Sequence, residues 1–99
     1  MATPRRLEVW RVSRASLVLN VQSDLLRIGT CVVVPLIQAD SFKPVEGINP
    51  VLEVAGLRYL LMTQQLTAIR ASDMRERVAY LPDAEGVVVK ALGRLLTTT

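Results

Sequence analysis

Histidine is missing from this chain of 99 residues, which removes the commonest general base at neutral pH and the commonest metal ligand. The residues left for chemistry are few. Asp24 follows Gln22 and Ser23 and has the composition of an acid–base residue, but a carboxylate in a turn also serves by accepting backbone N–H bonds. Asp73 and Glu76 lie beside Arg75 and Arg77, a spacing that fits a catalytic or RNA-binding cluster as well as a solvated charged surface. No glycine-rich phosphate loop and no GxSxG elbow occurs. The single cysteine, Cys31, lies in the apolar run CVVVPLI, where a thiol acts as a small core residue. These residues predict no catalytic group, no metal and no cofactor, and hence no hydrolase activity.

Positioning falls to one small domain, residues 1–99. Hydrophobic residues make up 51% of the chain and the mean hydropathy is +0.34, an excess that predicts an apolar face and a homodimer or other homo-oligomer. With one Trp, one Phe and two Tyr, the core must be built from aliphatic side chains. The formal charge is +3, and ten of the twelve cations are arginine. They are scattered without interleaved aromatics, which suits acidic protein partners as well as nucleic acid. One cysteine allows no disulfide within the chain, MATPRRLEV is no signal peptide, and no apolar run reaches membrane-spanning length. A cytoplasmic protein without a membrane partner is expected.

Alternation in LEVWRVS (7–13) and LVLNVQS (17–23) predicts a hairpin, with Leu7 and Val9 on one side and Glu8, Trp10 and Val12 on the other. CVVVPLI (31–37) is a third strand that ends at Pro35 or runs along an edge there, because proline donates no ladder bond. Residues 38–50 read as loop. PVLEV and LRYLLMT flank a tight turn at Ala55–Gly56, and QQLTAIRAS leads to a last strand near 71–78. Pro82 and Asp83 open a helix, with Asp83 as N-cap and Glu85 in the first turn. Val88, Leu92, Leu95 and Leu96 share one face of it, although three valines and Gly93 are poor helix formers. The layout is mainly β, a compact barrel with one terminal helix. One stretch resists it: in NVQSDLL, Leu25 and Leu26 follow a turn directly. Either the loop folds back and buries them, or a partner covers them.

NVQSDLL, then VVVPL, then LLMTQQLTAI, then a helix near the end resembles the CcdB toxins of bacterial toxin–antitoxin systems, over approximately Leu7 to Leu96. The resemblance implies an SH3-like β-barrel with a short accessory sheet and a C-terminal helix, assembled as a two-fold dimer. It implies a poison that binds the A subunit of DNA gyrase and traps the cleaved-DNA complex. A CcdA-like antitoxin would neutralise it and, as a complex, autoregulate transcription, so that DNA is met only through that complex. Leu25, Leu26, Thr97, Thr98 and Thr99 match the family's gyrase-contacting positions, Glu85 matches a glutamate linked to poisoning, and Arg14 lies near an antitoxin-contact position. Thr97–Thr99 replace the family's best-known Trp-Gly-Ile end, Gly93 an asparagine and Arg70 a proline. Two alternatives stand beside this: a Kid/MazF-type ribonuclease toxin on the same barrel, and a homologue that binds antitoxin without poisoning.

Overall fold

Two-residue alternation puts apolar side chains on both faces of the central strands, and both faces are covered. The computed structural model describes residues 3–13 and 15–97. Strand β1 (Glu8–Arg11) pairs with β2 (Leu17–Asn20), with Val9 opposite Leu19, and β2 pairs with β3 (Thr30–Gln38). Val9, Leu19, Val34 and Leu36 point to one side, into a core completed by Leu7, Leu17, Leu52, Val54, Leu61 and Val88. Trp10, Val18, Cys31 and Val33 point to the other, where Met74 covers them. Glu8 shares that second face and is 3% exposed. Its carboxylate is compensated: it accepts hydrogen bonds from Arg5 N (2.7 Å), Trp10 Nε1 (3.1 Å) and Arg77 Nη1 (3.3 Å).

Strands β4 (Val51–Val54) and β5 (Leu57–Leu61) form the expected hairpin. Ala55 and Gly56 both have positive φ (+52° and +82°), the backbone of a type I′ turn. β5 pairs with Leu36–Gln38, so this hairpin continues the main sheet. Strand β6 (Thr67–Arg70) pairs with Thr30–Val33 and β7 (Glu76–Tyr80) pairs with β1. All pairings are antiparallel, in the order β4-β5-β3-β2-β1-β7 with β6 beside β5 on β3. The result is a curled half-barrel sheet with a single helix, α1 (Glu85–Leu96), the mainly β class expected. Val88 and Ala91 are the buried contacts of α1 and Leu92 packs beside them, while Leu96 is exposed. Among the described residues no helix is long and apolar enough to cross a membrane.

Several expectations are corrected. β3 neither ends at Pro35 nor lies at an edge. Residues 30–33 pair with β6 and 36–38 with β5, leaving a gap at Pro35, whose carbonyl accepts Met62 N (2.9 Å). The Met62 carbonyl, which an N–H at position 35 would face, accepts Gln65 N instead (2.9 Å), so the proline leaves no acceptor unpaired. The last strand is 76–80 rather than 71–78, because Ala71–Asp73 form a 3₁₀ turn closed by Met74 N on Ala71 O (3.1 Å). Asp83 is not an N-cap: it sits in another 3₁₀ turn, Pro82–Ala84, and the Glu85 N–H reaches Pro82 O, replacing a side-chain cap. The loop 39–50 is pinned to α1, since Gly47 (φ +81°) leaves room that Arg94 Nη1 occupies, 2.7 Å from where a Cβ would lie.

Leu19→Ala, at a fully buried position, is expected to lower the unfolding free energy by about 2–5 kcal/mol in urea titration. Pro35→Ala is expected to change it by less than about 1 kcal/mol, because the new N–H faces the Met62 carbonyl, which can accept a second bond, and otherwise only chain stiffness is lost.

Candidate partner-binding site

The loop after β2 is held from within by its polar side chains. Asn20 Oδ1 accepts Gln22 N (3.1 Å), and the nearly buried Gln22 side chain spans the loop. Its Oε1 accepts Val32 N (3.1 Å), while Nε2 donates to Leu26 O and Thr30 O, each at 2.9 Å. Ser23 turns the tip, with Oγ accepting Leu25 N and its carbonyl accepting Leu26 N, both at 3.1 Å. Asp24 Oδ1 accepts Arg6 N (2.8 Å), the backbone-binding role rather than that of a free acid–base group. The Leu25 and Leu26 N–H groups and the Leu26 carbonyl are thus bonded within the loop, while the apolar side chains face solvent. Leu25 is 97% exposed, Leu26 47% and Ile28 63%. The loop does not fold back over its leucines. Leu26 differs from Leu25 in also lining a cavity of about 300 Å³ beneath the loop.

Arg6 extends the site to the helix. Its Nη1 donates to Glu85 Oε1 at 2.6 Å, at the first residue of α1. Glu85, Arg6, Asp24 and the leucine loop therefore form one connected group. Thr97 lies at the other end of α1, roughly 18 Å away along the axis at about 1.5 Å per residue. There its hydroxyl donates to Gly93 O (2.7 Å), satisfying a carbonyl of the last turn. Within one chain the structure does not bring Thr97 to the loop. Thr98, Thr99 and Arg14 lie outside the described residues.

The second candidate cluster separates. Asp73 pairs with Arg70 (3.2 Å) and Glu76 with Arg11 (3.1 Å), not with Arg75 or Arg77. The turn at 71–73 keeps Arg70 and Asp73 together, and the β1–β7 register sets Arg11 opposite Glu76. Among the described residues no group of three or more His, Cys, Asp or Glu side chains could hold a metal ion. Burial pushes the Cys31 thiol above its ordinary 9.0, so it stays protonated at neutral pH. Because the folded value is the higher, this contribution to stability is complete below the unfolded value and fades as pH rises beyond it. Sequence reasoning missed Arg6 and Ile28. Ile28 was legible as the third apolar residue of DLLRIG, whereas Arg6 carried no local signal.

A family model described as "CcdB protein" matches residues 6–98. The chain belongs to the CcdB family. Membership suggests a toxin of a toxin–antitoxin system, a role that involves pairing with an antitoxin. Among solved structures, a protein described as "Endoribonuclease from Mycobacterial species" superposes with a TM-score of 0.80 at 16% identity, covering 97% of this chain and 93% of that one. At that identity the likeness is one of fold. No curated protein matches the sequence significantly.

Gln22→Glu keeps the acceptor for Val32 N but loses both donations. It is expected to cost about 1–3 kcal/mol in urea titration and to speed amide exchange at residues 24–29 while leaving β1–β3 protected.

Proposed function

We propose that this CcdB-family protein is a gyrase poison that binds the A subunit of DNA gyrase, traps the cleaved-DNA complex and is neutralised by a CcdA-like antitoxin. The observation that carries the reading is the set of solvent-facing apolar side chains, Leu25, Leu26 and Ile28, on a loop that the Gln22 and Ser23 hydrogen bonds hold in place. A pre-ordered loop loses little further entropy on binding, and burying a leucine contributes ~1.5–3 kcal/mol. Glu85, 63% exposed in its side chain, adds an acidic contact beside the apolar one. The threonine tail Thr97–Thr99 offers little apolar area, so the loop carries more of this contact than the tail. Two copies associate through apolar surface, and a two-fold dimer sets the loop of one copy near the helix end of the other. The antitoxin binds elsewhere, near Arg14, and only that complex meets DNA. The protein acts in the cytoplasm, without cofactor and without a catalytic residue.

Leu26→Asp is expected to abolish inhibition of gyrase supercoiling with a melting temperature close to that of the parent, because it puts an uncompensated charge into a desolvated contact. Deleting residues 97–99 should likewise spare folding and weaken inhibition, with antitoxin binding kept in both variants. Sedimentation should give about twice 10.9 kDa. Sequence-selective cutting of a single-stranded RNA panel without gyrase would favour a ribonuclease instead, and unfolding by Leu26→Asp would make the leucines core residues.

A further inference from the structure

Arg6 touches both halves of the proposed surface: its backbone N–H holds Asp24 in the leucine loop and its guanidinium holds Glu85 at the start of α1. The turn that carries it is closely determined. Arg5 N donates to Glu8 Oε1 (2.7 Å), Glu8 N to Arg5 O (3.1 Å), and the Arg5 guanidinium lies 5.4 Å from the centre of the Tyr80 ring. The next residue, Leu7, has φ +69°, a left-handed value that a branched side chain disfavours. It is held there by its N–H on Asn20 O (2.7 Å), by its carbonyl accepting Leu81 N (2.9 Å) and by burial of its side chain. Strain of this kind persists where the surroundings overdetermine it, and it concentrates at functional sites.

We propose that Arg6 is a positioning residue for the partner surface, holding Glu85 at a fixed place relative to Leu25 and Leu26 so that one partner meets the acidic and the apolar contacts together. The inference rests on the gyrase reading of those three residues. The Arg6 side chain is 23% exposed and that of Glu85 63%, so the partner meets the carboxylate with the guanidinium behind it. Arg6 occupies Oε1, and Oε2 has no partner among the described residues, which leaves it to accept a donor from the partner. An ion pair this exposed adds little to folding. Its effect belongs to binding, where it removes the cost of ordering a flexible carboxylate side chain.

The test measures gyrase supercoiling inhibition, with melting curves, for the full chain and for R6Q, R6K, E85Q, L26D and the double variant R6Q/E85Q. The expected result is that R6Q raises the half-inhibitory concentration about tenfold, the size of coupling usual between contacting residues, with a melting temperature like the parent's. R6K should recover most of the loss, and R6Q/E85Q should inhibit no worse than E85Q alone. Parent-like inhibition by R6Q, or losses in R6Q and E85Q that multiply in the double variant, would overturn the proposal. If L26D and E85Q also inhibit like the parent, the surface reading has failed and the role of Arg6 falls with it. If those two lose inhibition while R6Q does not, only the role of Arg6 is wrong. Should R6Q fail to fold, R6K decides: inhibition as weak as that of E85Q overturns the proposal, and inhibition near the parent's sustains it.

Discussion

The hydrogen bonds of the Gln22 side chain are the constraint on which the exposed surface depends. A loop running from residue 21 to residue 29 between two sheet strands must place its N–H and C=O groups somewhere, and leucines beside them would ordinarily collapse onto the core. Gln22 prevents this by satisfying Val32 N, Leu26 O and Thr30 O with one amide group. Its own backbone N–H is taken by Asn20. The carbonyl of Leu26 is thereby drawn inward, and the adjacent side chains are left facing water. An apolar tip on a rigid loop exposes hydrophobic area in the free protein and is ready to lose it on contact.

A second constraint acts at the chain start. The left-handed Leu7 drives its side chain into the core and turns the backbone so that the N–H of Arg6 points at Asp24. The loop is consequently tied at its tip to the turn before β1 and at its base to β3. Helix α1 joins the same assembly through Glu85 at one end and packs Val88 into the core of the sheet. Loop and helix start thus share one frame, so a contact that includes both meets a surface already arranged.

The motifs that carried the resemblance prove to be loop staples. In VQSD, Gln22, Ser23 and Asp24 each hold backbone. In MTQQ, Thr63 is fully buried with its hydroxyl on Ile48 O, and Gln64 accepts from Asn49 Nδ2 (2.7 Å), fastening the 39–50 loop. The first hairpin, the Ala55–Gly56 turn and the helix were legible because alternation, turn backbone and helical spacing are local signals. Pro35, the division between β6 and β7 and the role of Asp83 were not, because each depends on what pairs alongside. Leu25 and Leu26 were legible as an anomaly, and only the hydrogen-bonding of Gln22 decides which way they point. Arg6 was invisible, since its partners lie 18 and 79 residues away in the chain.

The central claim is that the loop tip and the first turn of α1 together form the partner surface. Amide hydrogen exchange on the full chain, with and without the purified A subunit of gyrase, tests it most directly. Slower exchange at residues 24–28 and 85–88, with a smaller slowing at the C-terminal end of α1 and the Ala55–Gly56 hairpin and β6 unchanged, is the predicted result. Protection of the hairpin or of β6, with the 24–28 amides exchanging as freely as in the isolated protein, would contradict it.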